Sequence, residues 1–156
     1  MQDPFTLEEI VKVLITTFLP YLELRAAIPL ALYFGASPVE AFIVGVLGNL
    51  VPVIPIMLFL PLLARWAERL PLFHRLFVWI EQRTEKQQRT VNKYGFIGLT
   101  MFVAIPLPMT GVWTGALVSY LLGIRKRYAF FALMLGVVCA GILVTLMASG
   151  FIQLWK

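Results

Sequence analysis

The stretch YLELRAAIPLAL, residues 21–32, decides the fold because it places two charges inside an apolar segment. Glu23 and Arg25 interrupt a run that is otherwise apolar from about Leu7 to Gly35. Each charge inside a membrane segment costs about 2.5–3.5 kcal/mol on insertion scales, so both require a partner or a function. Two residues apart on a regular helix, the two side chains point to nearly opposite faces. Non-helical backbone beside Pro29 would let both face one cavity.

Two interpretations of this pair remain open. In the functional one, Arg25 holds an anionic group, and Glu23 binds a proton or pairs with a polar group. In the structural one, the segment is a shallow hairpin from which both side chains reach water. We predict both residues to be substrate- or ion-binding.

The composition indicates that the solvent of this chain is lipid. Of its 156 residues 60% are hydrophobic and 13% are charged, and its mean hydropathy is +0.87, whereas soluble domains carry about a quarter charged residues. The net charge of +5 is concentrated in two basic segments, residues 65–93 and 125–127, which is typical of cytoplasmic loops and argues against nucleic-acid binding. A single cysteine, Cys139, and a single histidine, His74, argue against a disulfide framework and a metal site, and no cofactor is expected.

Four apolar stretches follow one another, two continuous and two broken. Pro38–Leu63 and Tyr128–Ile152 are long enough to span a bilayer, which takes about 20 residues. The first stretch is predicted to break at residues 23–29, and the third, Tyr94–Ile124, at residues 106–111. The halves of the broken stretches are too short to span, so these stretches are kinked spans or re-entrant hairpins.

The distribution of charge favours re-entrant hairpins, because both basic segments then share the cytoplasmic side. We therefore predict an all-α integral membrane protein, with two re-entrant helical hairpins entering from opposite faces and two spanning helices. The single membrane domain would consist of a first inverted repeat (1–63), a cytoplasmic amphipathic linker (64–93) and a second repeat (94–156). The alternative is a bundle of four simple spans.

Two sequence matches support the repeat, since inverted repeats are a common plan among transporters. AIPLAL at 27–32 is similar to AIPLPM at 104–109, and EAFIVGVLG at 40–48 to YAFFALMLG at 128–136. Within the linker, apolar residues recur at helical spacing from Phe73 to Ile80, which predicts an in-plane helix on the inner leaflet.

Two helix starts are also predicted from capping boxes. Thr6 is followed three residues later by Glu9, and Ser37 by Glu40 with Pro38 in the first helical position. This pattern gives Glu40 a structural role.

A second polar constellation lies in PLPMTGVWTGALVS, residues 106–119. Prolines within it remove backbone donors and break the helix, leaving carbonyl groups that need partners inside the protein. The predicted helix-breaking residues are Pro29, Pro106 and Pro108. Small residues at four-residue spacing predict a helix-packing face that includes Gly111, Gly115 and Ser119. A second such stripe, in the last stretch, includes Gly136.

Further candidate substrate contacts are polar or flat side chains near these breaks. Thr110 and Thr114 add hydroxyl groups, and Trp113 adds an aromatic wall. Asn49, inside a span, must be hydrogen-bonded, and we expect a broken-helix carbonyl to be its partner. The predicted substrate set is thus Glu23, Arg25, Asn49, Thr110, Trp113 and Thr114, without a catalytic residue.

The elements ELRxxIP at residue 23 and PLPxTGxWTG at residue 106, together with GNLVPVIP from residue 48, resemble the prokaryotic family of putative small multi-drug export proteins. The resemblance covers nearly the whole chain. That family is regarded as distantly similar to the DedA or VTT-domain superfamily, which implies paired re-entrant segments and movement of lipids such as undecaprenyl phosphate. DedA proteins usually carry an arginine in the second re-entrant motif, and Thr110–Ser119 has no basic residue.

The leading functional prediction is a translocator with a midplane site that moves an anionic or amphipathic substrate, such as a lipid phosphate. The alternatives are a proton-coupled drug exporter, a channel and an assembly factor. An enzyme is disfavoured because the apolar stretches hold no histidine or aspartate. Expected partners are membrane lipids and a second copy in a homodimer, in the plasma membrane of a prokaryote.

Overall fold

The computed structural model describes residues 5–67, 88–107 and 110–154, and all regular elements in these ranges are helices. In chain order they are α1 (Leu7–Phe18), α2 (Glu23–Tyr33), α3 (Pro38–Leu50), α4 (Val53–Ala67), α5 (Gln88–Ala104), α6 (Val112–Leu121) and α7 (Lys126–Leu154). The prediction of an all-α protein is confirmed for the described residues.

Both predicted capping boxes are present. The Thr6 hydroxyl accepts a hydrogen bond from the Glu9 N–H at 3.4 Å, and the Glu9 carboxylate accepts one from the Thr6 N–H at 2.7 Å. Ser37 and Glu40 make the same reciprocal pair at 3.3 and 2.7 Å. Each box satisfies backbone N–H groups that have no partner within their helix.

Within the described ranges, two helical regions are long and apolar enough to cross a membrane, Pro38–Leu63 and Lys126–Phe151. The first consists of α3 and α4, joined by a turn at Val51 and Pro52. Large apolar side chains are exposed along both regions, Leu47, Leu58 and Leu146 among them, as expected where the neighbour is lipid. With the shorter apolar helices Tyr94–Ala104 and Val112–Leu121, they give the chain the character of a membrane protein.

The first broken stretch turns earlier than the sequence predicted. The helix boundary lies at residues 19–22, between α1 and α2, and Pro29 lies inside α2. Proline has no N–H for the carbonyl four residues before it, so α2 continues with that one backbone bond missing. Pro29 is therefore not a helix break.

The second broken stretch separates α5 from α6. Helix α5 ends at Ala104, directly before Ile105 and Pro106, and α6 begins at Val112. The segment 105–111 thus joins two helix ends whose backbone groups need partners. Pro108 was also predicted to break the helix, and it lies outside the described residues.

Small residues let the helices approach closely. A Cβ added at Gly136 of α7 would lie 2.7 Å from the Cβ of Val103 in α5, and one at Gly115 of α6 would lie 2.7 Å from Val103 Cγ2. At Gly48 of α3, an added Cβ would lie 2.7 Å from the hydroxyl of Thr17 in α1. A larger residue at these positions would require the neighbouring side chains or helices to shift.

The re-entrant hairpins, their entry from opposite faces and the inverted repeat stay predictions. The proposed in-plane helix falls within residues 68–87, outside the described residues. Helix α5 already begins at Gln88, upstream of the predicted second repeat.

Candidate functional site

Arg25 reaches from α2 to the broken segment before α6. Its Nη1 donates to the carbonyl oxygen of Leu107, and its Nη2 donates to the Thr110 carbonyl oxygen at 2.6 Å and to the Thr110 hydroxyl at 2.9 Å. The same hydroxyl is placed to donate to the Ile105 carbonyl oxygen at 2.7 Å. The guanidinium therefore supplies donors to carbonyl groups that the helix break leaves without helical partners.

Glu23 reaches the other side of the same break. Its Oε1 accepts a hydrogen bond from the Trp113 N–H at 3.5 Å, and the N–H of Val112 also faces the carboxyl group. These two N–H groups begin α6, where the helix dipole favours negative charge. Glu23 and Arg25 do not form an ion pair with each other, and each binds the second broken segment.

The backbone at Glu23 is unusual. Its φ angle is +48°, and no other non-glycine residue in the described ranges has a positive φ. A left-handed conformation at a residue other than glycine costs about 1–3 kcal/mol and is common at functional sites. The conformation starts α2 with the side chain, only 4% exposed, directed into the protein.

Gly111 makes room for this carboxyl group. A Cβ at Gly111 would collide with the Glu23 carboxylate. Gly111 was predicted to belong to a helix-packing face, but its close neighbour is the polar end of Glu23. It caps α6 together with Thr114, whose hydroxyl accepts from the Gly111 N–H at 3.0 Å.

Asn49 of α3 completes the cluster. Its side chain is 1% exposed and lies beside the Glu23 carboxyl group. Within the described part of the chain, neither its Oδ1 nor its Nδ2 has a hydrogen bond of normal geometry. The predicted bond to a broken-helix carbonyl is therefore absent. An unpaired buried amide costs about 1–3 kcal/mol, so Asn49 keeps unused donor and acceptor capacity beside Glu23.

An open groove of about 860 Å³ lies next to the cluster. Its volume is within the usual range for small-molecule sites, about 300–1,000 Å³. The lining comes mainly from α2, the start of α3 and the end of α7; Arg25, Pro29, Tyr33, Pro106, Met147 and Phe151 are among its residues. Among the described residues of this lining, Arg25 is the one charged side chain, so they combine an apolar wall with a positive charge.

The other predicted residues take different positions. Trp113 contributes its backbone N–H, and the residue is 36% exposed. Ser119 is buried and donates to the Ala116 carbonyl oxygen of its own helix at 2.7 Å. Gly115 and Gly136 lie at close helix contacts, away from the charged pair.

Thr17 is a buried polar residue that the sequence reasoning missed. It is fully buried against Gly48 and donates to the Leu14 carbonyl oxygen at 2.6 Å. Threonine is common in apolar helices, so its sequence context carries no distinguishing signal.

In the described ranges, no group of three or more histidine, cysteine, aspartate or glutamate residues is placed to hold a metal ion.

The chain was compared with known protein families, curated proteins and solved structures, and a family model matches it. No curated protein and no solved structure matches the chain, and a relationship to the DedA superfamily stays a prediction. A family model matches residues 23–143, a range that begins at Glu23, includes the second broken segment and ends within α7. The chain therefore belongs to the family described as "Putative small multi-drug export protein".

Proposed function

We propose that this protein is a transporter in the plasma membrane of a prokaryote and moves an amphipathic anion, with a lipid phosphate as the leading substrate. The anionic group would bind near Arg25, and the apolar part would lie in the groove between α2 and α7. The family description supports export of a small molecule. The preference for an anionic substrate rests on the position of Arg25 in the lining of the groove.

The position of Arg25 carries this proposal. The guanidinium is held by carbonyl and hydroxyl oxygens of residues 107 and 110, and no carboxylate of the described residues lies at ion-pair distance from it. Its positive charge is thus still available at the wall of an apolar groove. Arginine forms strong charge-assisted bonds to phosphate and carboxylate oxygens. A cationic drug would be repelled there.

A vesicle assay with the purified full-length protein tests the proposal. Movement of a fluorescent lipid phosphate across the bilayer is compared with movement of a zwitterionic lipid that carries the same label. We expect the wild-type protein to move the lipid phosphate. In Arg25→Ala the rate should fall by at least about tenfold, because the loss of one charged hydrogen bond costs about 1.4 kcal/mol or more. Arg25→Lys should keep partial activity.

Lys12→Ala is the matched control, because Lys12 is an exposed base of α1 that pairs with Glu8 at 2.7 Å. Equal movement of both lipids, or wild-type rates in Arg25→Ala, would contradict the proposal.

Proton-coupled export of a cationic drug is the second candidate. The buried Glu23 carboxyl group favours it, since exporters of cations need a carboxylate within the membrane. Export of a cationic dye driven by a pH gradient, lost in Glu23→Gln and kept in Arg25→Ala, would establish this function instead. A protein inactive in both assays would point to a channel or an assembly factor. A homodimer stays a prediction.

A further inference from the structure

The start of α6 has the features of an anion site that is already filled by the protein itself. Two backbone N–H groups, of Val112 and Trp113, point at the Glu23 carboxylate, and the Asn49 amide lies beside it. We call these three groups the α6 seat. The N-terminus of a helix binds phosphate and carboxylate groups because its free N–H groups and its dipole both favour negative charge.

The Glu23 carboxylate fills the α6 seat poorly. Its hydrogen bond from Trp113 is 3.5 Å long, whereas charge-assisted N–H···O bonds are about 2.7–2.9 Å. Among the residues that the structure describes, neither polar atom of Asn49 has a hydrogen bond of normal geometry, although the residue is 99% buried. The backbone of Glu23 is held in the left-handed region to reach this position. If Glu23 only capped α6, we would expect its carboxylate to form short hydrogen bonds with the N–H groups and with Asn49, and its backbone to avoid the left-handed region.

A phosphate group would fit the same donors better. It offers more acceptor oxygens than a carboxylate, so it could accept from Val112, Trp113 and the Asn49 Nδ2 together. The groove also lies near the seat, on the side of Arg25. Arg25 lines the groove and binds Thr110, next to Gly111, where α6 begins.

We propose that the Glu23 carboxylate stands in for the substrate's anionic group, and that a phosphate monoester arriving at Arg25 displaces it from the α6 seat. This inference rests on the proposed function and deepens it. The displaced carboxylate returns to the seat when the substrate leaves, so Glu23 drives release. Removing the carboxylate therefore strengthens binding and stops turnover.

Binding of a monoalkyl phosphate to the full-length protein in detergent, measured by titration calorimetry, tests this. Loss of the competing charge in Glu23→Ala should tighten binding by about tenfold, because the N-terminus of a helix favours one negative group and the carboxylate no longer occupies it. Glu23→Gln keeps the shape of the side chain and should also bind more tightly than wild type. Both variants should lose transport.

Glu9→Gln is the matched control, because Glu9 caps its own helix on the surface, and its binding should equal that of wild type. Unchanged or weaker binding in both Glu23 variants, with binding still lost in Arg25→Ala, overturns the inference and leaves the proposed function standing. Glu23→Gln alone decides this if Glu23→Ala does not fold. Absence of binding in wild type and in both Glu23 variants overturns the inference and the proposed function together.

Discussion

Two glutamates of this chain face the N-terminus of a helix in opposite ways. Glu40 caps its own helix on the surface, three residues from Ser37. Glu23 caps a helix that lies 90 residues away from it along the chain, is almost completely buried and has a left-handed backbone. The chemistry is the same, a carboxylate on backbone N–H groups. The local cap stabilises one helix, whereas the distant cap ties the first broken stretch to the second.

The same contrast applies to Arg25. An arginine near the end of its own helix would bond the last carbonyl groups of that helix. Arg25 instead bonds carbonyl groups of the segment between α5 and α6. The two charges that seemed costly in the first apolar stretch therefore satisfy the backbone of the second. Glu23 thus binds the start of α6, and Arg25 binds the segment that connects α5 to α6.

The distant cap is broken most directly at Gly111. In Gly111→Ala the new Cβ collides with the Glu23 carboxylate, so the side chain must move and its hydrogen bond is lost. We expect the free energy of unfolding to fall by about 2 kcal/mol, with loss of transport. Thermal unfolding in detergent measures the first effect, and the vesicle assay measures the second.

Gly98→Ala provides the matched control within α5, where an added Cβ meets nothing within 4 Å. Alanine is about 1 kcal/mol better than glycine in a helix, so this variant should be slightly more stable than wild type. If Gly111→Ala behaved like Gly98→Ala, the close contact with Glu23 would have no energetic weight.

Loss of the local cap, formed by Ser37 and Glu40, should lower stability less than loss of the distant cap. Ser37→Ala removes the hydroxyl that accepts from the Glu40 N–H at 3.3 Å, and cap losses of this kind cost about 1 kcal/mol. We expect a modestly lower unfolding temperature and normal transport, because this cap lies at the start of one helix. Transport lost together with stability would show that both kinds of cap serve the site.

The sequence predicts the helices well where the signal is local. Long apolar runs identify the spanning helices, and the spacing of Ser37 and Glu40 identifies a helix start. The cost of charge in lipid also identifies Glu23 and Arg25 as exceptional. Each of these inferences uses residues a few positions apart, whose relation is fixed by helix geometry.

Contacts between distant segments could not be obtained in this way. The partners of Glu23 and Arg25 lie about 80–90 residues further along the chain, and nothing in the local pattern selects them. Pro29 was assigned to a break because proline usually ends a helix, but α2 tolerates the missing bond. Gly111 shares the spacing of Gly115, yet only the packed structure shows that a carboxylate lies against it.

The central claim is that α2 holds the break between α5 and α6 through direct bonds. A double-mutant cycle of Arg25→Ala and Thr110→Val, read out as free energy of unfolding in detergent, tests it most directly. Because Arg25 bonds the Thr110 hydroxyl at 2.9 Å, the two losses should be non-additive by about 1 kcal/mol or more. Losses that add to within about 0.3–0.5 kcal/mol, as for independent sites, would contradict the account.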